Sequence, residues 1–523
     1  MTVVRSFLGW IRQPTHLQRG LRAALLIFFV WLGGRFWHPY YGFTRFIQAD
    51  DSDAAVMLPE LHDARLYVYH YAGGYDGAAY AQLAVHPTVR DPNLAQSVDS
   101  LPYRAQRILL SAVAYVIGLG DPGRIVQVYA ALNLVIWFAL AAILARIFPL
   151  GDWRNLAAWA GLLFSAGVLH SVRLALTDVA AFALLAWAVW LASRRKESIA
   201  VGLFGAAGLV RETALLGSVT LLPADWRQQP GRTLARLALA LLPLGLWMLY
   251  LRTITGSGVH GLGNIDWPFL GWIGKLTASL RQLGSEPDKW LAFTTLLAFG
   301  SLTVQALYVA IRPEPRDPWW RLGAVYVGLM FCLGTAVWDG HPGAATRILL
   351  PLSLAFNILA VRRGAAAGWL VAGNLTVLSG ILALWQVPHD VHEVAAGRAT
   401  AGPYVVHSDA RWYPAEQGRD RIWAWCSEEG GLEIDCWPRT SGSVTVRAAL
   451  RGFTSRPLEI RQAGRTVWSG TVDEKVRWIE VPAVKLVAGR AELELYSSAR
   501  PIRENVFGDS RELGFAVYGV TIE

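Results

Sequence analysis

Long apolar blocks are the feature that most limits what this chain can fold into. The block from Ile125 to Ile147 is one of several that reach the ~20 residues a helix needs to cross the ~30 Å hydrocarbon core of a bilayer. Of the 523 residues, 54% are hydrophobic and only 17% are charged. Because the apolar residues are grouped instead of evenly spread, the composition is that of an integral membrane protein.

The apolar blocks end near Pro388, and the remainder of the chain has a different pattern. Segments such as Val444–Val446 and Glu492–Leu495 alternate apolar and polar residues, with turn residues about every ten positions. Period-two alternation between turns is typical of a β-sandwich. The predicted fold is therefore an α-helical polytopic membrane domain over residues 1–387, followed by an all-β sandwich over residues 388–523.

The helical domain is predicted to contain about eleven membrane-crossing or half-crossing helices. The first follows a basic N-terminal segment that lacks the small-residue cleavage site of a signal peptide, so we expect it to be retained. Residues 38–119 contain no clean span and are predicted to form a long external loop. The other spans are predicted near 125–147, 155–170, 178–193, 237–252, 291–311, 322–338, 346–361 and 367–386, with two short helices meeting at Arg211-Glu212 between 199 and 223.

The net charge of +9 is explained by membrane orientation. Basic residues such as Arg154, Arg195 and Arg362 lie in short segments between apolar blocks, where the positive-inside rule places the cytoplasmic side. The rule puts the loop 38–119 and the β-domain outside, which predicts a multi-pass protein of the bacterial inner membrane with its β-domain in the periplasm. Nucleic acid is not an expected partner, whereas membrane lipids are.

Three cysteines are present. Cys426 and Cys436 lie in the β-domain, on the predicted oxidising side of the membrane, and we expect a disulfide between them. Cys332 lies within a predicted span and is expected to be free. The sequence has no zinc-ligand spacing, P-loop or dinucleotide fingerprint.

Polar residues that have no structural reason to lie near apolar segments are the candidates for a site, and they fall on the predicted external side. They comprise Asp50, Asp51 and Asp53, Asp76 and Tyr80, Arg104 and Arg107, Asp178, Arg211 and Glu212, and His341 and Arg347. An acid beside several arginines suits sugar transfer from a lipid phosphate. The leaving phosphate needs cations, and the acceptor hydroxyl needs a base.

These residues resemble the motifs of the GT-C superfamily of membrane glycosyltransferases, which includes protein O-mannosyltransferases and aminoarabinose transferases. Asp76, Tyr80 and Ala84 have the spacing of the acid motif that follows the first helix in that superfamily. Leu176-Thr177-Asp178 resembles its second acidic motif, and Gly208–Thr213 resembles its broken helix. Arg347–Pro351 resembles its late arginine motif. Gly74–Gly77, Tyr103–Ile108 and Arg211–Thr213 resemble segments of uncharacterised bacterial members, many of which end in a jelly-roll-like module.

The resemblance implies an inverting glycosyltransferase with a polyprenyl-phosphate-sugar donor and a glycan, lipid or protein acceptor. It implies that Asp76 is the catalytic base. Further substrate-binding residues implied are Tyr80, Arg104, Arg107, Asp178, Arg211, Glu212, His341 and Arg347. The acid is not doubled, so a divalent metal at this site stays open but has no support, and no cofactor is assigned.

Each residue also has a purely structural interpretation. Asp76 could be a turn residue, Asp178 a helix cap, Arg211-Glu212 an internal ion pair, and Arg347 an interfacial anchor. Two other functions remain open from sequence. A lipid or glycan transporter would usually show paired internal repeats, of which none is found. A polysaccharide ligase with a diphosphate-lipid donor would have its long loop late in the chain, whereas here it comes first.

Overall fold

A computed structural model describes residues 14–69, 73–223, 230–256, 262–385, 387, 404–417, 422–506 and 509–523. Residues 388–403, the beginning of the predicted β-domain, lie outside the described residues. The chain forms two compact units. The first comprises residues 1–37, 43–68 and 73–387, and the second comprises residues 38–42, 69–72 and 388–523.

The first unit is almost entirely helical. Short 3-10 helices occur at Thr44–Phe46, Pro59–Leu61, Glu212–Leu221 and Leu262–Asn264. The α-helices of the described residues are α1 Pro14–Gly34, α2 Asp51–Ala55, α3 Asp76–Val85, α4 Leu94–Ser97, α5 Leu101–Ala105, α6 Leu109–Gly118, α7 Pro122–Ile147, α8 Trp153–Leu163, α9 Ala166–Arg173, α10 Asp178–Ser193, α11 Glu197–Val210, α12 Pro230–Thr255, α13 Leu270–Ser285, α14 Lys289–Ala310, α15 Pro318–Cys332, α16 Thr335–Trp338, α17 Ala345–Ile348, α18 Leu350–Arg362, α19 Ala367–Gly373 and α20 Thr376–Trp385.

Six helical segments among the described residues are long and apolar enough to cross a membrane. They are Pro14–Gly34, Pro122–Ile147, Trp153–Arg173, Pro230–Thr255, Lys289–Ala310 and Ala367–Trp385. Four shorter apolar helices, α6, α10, α11 and α18, have 10–17 residues. The expectation of a helical region followed by a β-region is confirmed, but the count of about eleven spans is not. One reason is that the predicted span 346–361 is divided into α17 and α18.

The predicted external loop contains a buried helix. Every residue of α3 from Gly77 to Val85 is buried, and α3 packs against α6 and α7. A side chain at Gly77 would place its Cβ 2.3 Å from the backbone oxygen of Leu174. Glycine is therefore required at this position, and α3 is fixed directly against the turn that precedes α10.

The second unit is a β-sandwich. The strands of the described residues are β1 Ala49–Asp50, β2 Val68–Tyr69, β3 Tyr404–Ser408, β4 Glu416–Gln417, β5 Ile422–Cys426, β6 Glu429–Cys436, β7 Gly442–Gly452, β8 Arg456–Gln462, β9 Arg465–Val472, β10 Arg477–Leu486, β11 Arg490–Tyr496, β12 Ile502–Val506, β13 Asp509–Leu513 and β14 Phe515–Ile522. The sandwich has two five-stranded sheets with the orders β10-β7-β14-β5-β4 and β3-β6-β11-β8-β9. Valines and leucines at alternate positions of β7 and β11 face a shared apolar core, as expected for two stacked sheets. The pairs β1-β2 and β12-β13 form two separate two-stranded sheets.

The predicted disulfide between Cys426 and Cys436 is wrong, because all three cysteines are free thiols. Cys426 ends β5, and its Sγ lies 2.8 Å from the backbone oxygen of Glu429, the first residue of β6. Cys436 is the last residue of β6. Seven residues of extended strand span roughly 23 Å, whereas a disulfide requires Cα atoms within about 7 Å of each other. Burial raises the pKa of the Cys426 thiol to about 12, so this thiol is also unreactive.

Candidate active site

Asp76 is the first residue of α3, and the turn beside it is held by α7. Tyr129 donates a hydrogen bond of 2.7 Å to the backbone oxygen of Ala175. Asn133 donates one of 2.7 Å to the backbone oxygen of Leu176. Asp178 begins α10 two residues later. These two buried side chains of α7 therefore position both Asp178 and the turn against which α3, with Asp76 at its start, is packed.

The approach to Asp76 is fixed by Asp50. One oxygen of its side chain accepts hydrogen bonds from the backbone of Ser52 and Asp53 and thereby caps α2. The other oxygen accepts a hydrogen bond of 2.6 Å from the backbone nitrogen of Gly74. Asp50, which from sequence was a member of the acidic group 50–53, is therefore an anchor for the glycine-rich stretch that leads to Asp76.

Asp76 forms an ion pair with Arg104, with 2.9 Å between Oδ2 and Nη1. The side chain of Asp76 is 32% exposed, so it remains open to a ligand. Burial would raise the pKa of Asp76, but the charges of Arg104 and Arg347 outweigh that effect and hold the pKa below its usual value. The group is therefore an ionised carboxylate at neutral pH.

Arg107 is buried, and its donors are already engaged. It forms a two-point ion pair with Glu212, with nitrogen-oxygen distances of 2.9 and 2.7 Å. It also donates hydrogen bonds to the hydroxyls of Tyr80 at 3.0 Å and of Tyr103 at 2.8 Å. These contacts join α3, the segment 103–107 and the 3-10 helix Glu212–Leu221 into one rigid group.

Asp178 is buried, with only 2% exposure, and lies between two arginines. Nη1 of Arg211 is 2.5 Å from its Oδ1, and Nη1 of Arg347 is 3.6 Å from its Oδ2. Arg347 also donates a hydrogen bond of 2.8 Å to the hydroxyl of Tyr75. Tyr75 precedes Asp76 in the chain, so Arg347 connects the two acids.

The four arginines differ in how many donors they have to spare. Arg107 uses four of its five N–H donors, and Arg104 also holds Asp99 through two hydrogen bonds. By contrast, the Nε of Arg211 has no hydrogen-bond partner among the described residues. The contact of Arg347 with Asp178 is longer than a hydrogen bond. Arg211 and Arg347 are therefore the two cations best able to accept a new anionic partner.

The ring of His341, the remaining predicted site residue, has partners that do not belong to the network around Asp76. Its Nδ1 lies 3.1 Å from the hydroxyl of Thr295, and its Nε2 lies 3.9 Å from a carboxylate oxygen of Glu286. Through these two contacts His341 joins the loop after α16 to the beginning of α14 and the end of α13. The other predicted residues, Asp76, Tyr80, Arg104, Arg107, Asp178, Arg211, Glu212 and Arg347, form the connected network described above.

An apolar cavity of about 490 Å³ lies between α6, α7 and α10. Its wall includes Leu109, Ala180 and Val210, which lie two residues after Arg107, two after Asp178 and one before Arg211. Arg146, at the end of α7, also contributes to the wall. Helix α10 thus both lines the cavity and carries Asp178, and Leu109 and Val210 lie close in sequence to Arg107 and Arg211.

Three residues of the network were not singled out by their chemistry in the sequence. Tyr75 and Tyr103 carry no charge, and the side chain of Asp99 is largely exposed to solvent. Tyr103 could have been found, because it precedes Arg107 by four residues and helical spacing brings such side chains together. Tyr75 is brought to Arg347 by long-range packing that no local pattern predicts, whereas Asp99 lies only five residues before its partner Arg104.

Comparison with protein-family models and with curated proteins finds no match. Two solved structures are similar to parts of the chain, each at 12% identity. The arabinosyltransferase EmbB from Mycobacterium smegmatis matches 79% of this chain with a TM-score of 0.21, and the match spans 59% of EmbB. TmCBM61, solved in complex with β-1,4-galactotriose, matches 23% of this chain and 88% of its own length with a TM-score of 0.16. Similarity this weak establishes neither a family nor an activity.

Proposed function

We propose that this chain is an inverting glycosyltransferase of the GT-C type. It would move one sugar from a polyprenyl-phosphate donor to a glycan, lipid or protein acceptor at the external face of the membrane. The observation that carries the proposal is the position of Asp76. It is an ionised, part-exposed carboxylate beside Arg104, in a network in which Arg107 and Arg347 are buried.

In the proposed reaction Asp76 accepts the proton of the acceptor hydroxyl. The hydroxyl oxygen forms a bond to the anomeric carbon as the bond from that carbon to the phosphate oxygen breaks. Inversion follows because the two oxygens lie on opposite sides of the carbon. The products are the glycosylated acceptor and polyprenyl phosphate, and arginines stabilise the negative charge that develops on the leaving phosphate oxygen in the transition state.

Arg211 and Arg347 are proposed to bind the donor phosphate. Both contact Asp178, and each has donor capacity that Asp178 does not use. A phosphate beside Asp178 would receive charge-assisted hydrogen bonds from two planar guanidinium groups, which suit bidentate contact. The apolar cavity between α6, α7 and α10, whose wall includes Ala180 two residues after Asp178, has the polarity required by the beginning of a polyprenyl chain.

Arg104 and Arg107 are proposed to position other residues of the site, whereas the resemblance implied that they bind the substrate. Arg107 uses four of its five N–H donors on Glu212, Tyr80 and Tyr103, so a two-point contact with phosphate would require breaking a buried ion pair. We assign Arg107, Tyr80 and Glu212 to holding α3 in place. Arg104 keeps Asp76 ionised and oriented.

The remaining features of the proposal follow the sequence analysis. Residues 38–119 and the β-sandwich would face the periplasm, and the sandwich would either bind the acceptor glycan or cap the site. His341 would contribute to the loop beside the site through its contacts with Thr295 and Glu286. No step of the proposed reaction uses a metal ion.

The proposal is tested with the full-length protein purified with its native lipids. Mass spectrometry should detect bound polyprenyl-phosphate sugars, and the identified donor is then used in a transfer assay. Asp76→Asn keeps the shape of the side chain but cannot accept the proton, so turnover should fall by ~100-fold or more, with donor binding retained.

Asp99→Asn is the matched control, because Asp99 contacts the same arginine from the exposed side. It should retain most of the turnover. If Asp76→Asn transferred sugar at nearly the wild-type rate, Asp76 would not be the base. If no polyprenyl-phosphate sugar were bound or used, the proposed function would be wrong.

A further inference from the structure

We propose that Glu60, His86 and Asp91 form a binding site for a divalent transition-metal ion of the zinc type, separate from the charged network around Asp76. Glu60 lies in the 3-10 helix Pro59–Leu61, His86 follows the last residue of α3, and Asp91 lies in the next turn. With a rise of ~1.5 Å per residue, the length of α3 separates His86 from Asp76 by roughly 15 Å. The inference thus goes beyond the proposed transfer reaction and does not depend on it.

The ligand atoms have the spacing that a tetrahedral ion requires. Nε2 of His86 lies 3.2 Å from Oε1 of Glu60 and 3.7 Å from Oδ2 of Asp91. All three ligand atoms lie within 4.8 Å of one another. Ligands at ~2.1 Å from a tetrahedral zinc ion are about 3.4 Å apart. Small movements of part-exposed side chains would bring the three atoms to that geometry, with the fourth position left for water.

The residues that carry the ligands are held together by one buried amide. Gln82 is 3% exposed. Its Oε1 accepts a hydrogen bond of 3.0 Å from the backbone nitrogen of Leu58, and its Nε2 donates one of 2.6 Å to the backbone oxygen of Ser97. The first bond fixes the segment before Glu60 to α3, and the second fixes the chain after Asp91. The site is thus supported by contacts that do not involve the ligands themselves.

The turn between the two later ligands is also fixed. Val89 is buried, with a φ of 59°, and its nitrogen donates a hydrogen bond of 2.9 Å to the backbone oxygen of His86. Tyr250 of α12 donates one of 2.8 Å to the backbone oxygen of Thr88. Supporting contacts of this kind orient metal ligands and reduce the ordering cost of binding.

The charges and donor atoms also fit an ion. The Oδ1 of Asp91 accepts a hydrogen bond of 2.8 Å from the backbone of Asn93, and this leaves its Oδ2 toward His86. Two carboxylates and a neutral imidazole carry a charge of about −2, which one divalent cation balances. An imidazole with two carboxylates is a donor set used by zinc, whereas all-oxygen sets suit calcium and magnesium. The competing explanation is a protonated His86 paired with two acids and no metal.

The experiment uses the full-length protein without an affinity tag, dialysed against chelator and then against buffer containing Zn²⁺. Elemental analysis should give one Zn²⁺ per chain, and added Zn²⁺ should raise the midpoint of thermal unfolding. Replacement by Co²⁺ should give the visible absorption of a low-coordinate site. Parallel titrations with Mn²⁺ and Ca²⁺ should show weaker binding.

His86→Gln should abolish both the bound Zn²⁺ and the thermal shift. Asp91→Asn keeps the acceptor for Asn93 and should weaken Zn²⁺ binding at least tenfold, which provides a second variant if His86→Gln does not fold. His62→Gln is the matched control, since His62 is an exposed histidine two residues after Glu60, and it should bind Zn²⁺ like wild type. The proposal would be overturned if wild-type protein bound no more Zn²⁺ than His86→Gln, or if binding survived in both ligand variants.

Discussion

The ion pair between Arg107 and Glu212 allows a quantitative test of how the network is built. The two charged hydrogen bonds are each worth ~1.5–3 kcal/mol by comparison with mutational series. The side chain of Glu212 is 32% exposed, whereas that of Arg107 is 4% exposed. Water therefore compensates for part of the loss at Glu212 but for little of it at Arg107. We expect a coupling free energy of ~2–3 kcal/mol, below the 3–5 kcal/mol that removing one partner of a fully buried pair costs.

The coupling is measured with a double-mutant cycle of Arg107→Ala, Glu212→Ala and the double variant, which cancels the contacts of Arg107 with Tyr80 and Tyr103. Unfolding free energies come from reversible SDS titration in mixed micelles. The matched control is the ion pair Arg363–Glu314, whose glutamate is 52% exposed, and its coupling should be only ~0–1 kcal/mol. If the coupling of Arg107 with Glu212 were no larger than that of the control, the ion pair would not be what holds α3 in place. Phosphate binding by Arg107 would then have to be reconsidered.

Three further predictions concern donor binding, the pKa of Asp76 and the membrane orientation. Arg347→Ala should weaken donor binding at least tenfold, measured as equilibrium binding of the lipid donor, whereas Asp76→Asn should leave donor binding nearly unchanged. Equal effects of the two substitutions would contradict the division of roles between Arg347 and Asp76. Arg104→Ala removes a charge that lowers the pKa of Asp76; the carboxylate should then protonate at higher pH, so the acid limb of the pH–rate profile should move upward, and an unmoved limb would exclude Asp76 as the titrating base. For topology, an impermeant thiol reagent applied to intact cells should label Ser441→Cys but not Ser193→Cys, and labelling of both would contradict the predicted orientation.

Apolar block length predicted the helices well because burial in a bilayer allows few alternatives. The predicted span 178–193 matches α10 at both ends, and 125–147 matches α7 within three residues. Breaks such as the one between α17 and α18 were missed. Pro351 lies in the first turn of α18, where proline is tolerated; the residues on both sides of the break are apolar, so the apolar pattern continues through it.

Sequence was less able to predict contacts that depend on long-range packing. The cysteines show this clearly, since composition and compartment favoured a disulfide, but the length of β6 separates the two thiols. Asp50 shows the same limit, because a local acidic group gave no sign that its carboxylate anchors Gly74. The candidate residues themselves were found because charged side chains near apolar segments are costly and therefore informative.

The break at Arg211 explains how one short segment serves both halves of the network. From sequence, Arg211 and Glu212 could have been an internal ion pair, but each has a partner elsewhere. The backbone at Arg211 is extended, with φ −158° and ψ 121°, between α11 and the 3-10 helix. Successive side chains of extended backbone point in opposite directions, so Arg211 reaches Asp178 while Glu212 reaches Arg107. In a continuous helix the two side chains would differ in direction by only ~100°. The break at Arg211 therefore connects the proposed phosphate site to the ion pair of Arg107 and Glu212 that holds α3 in place.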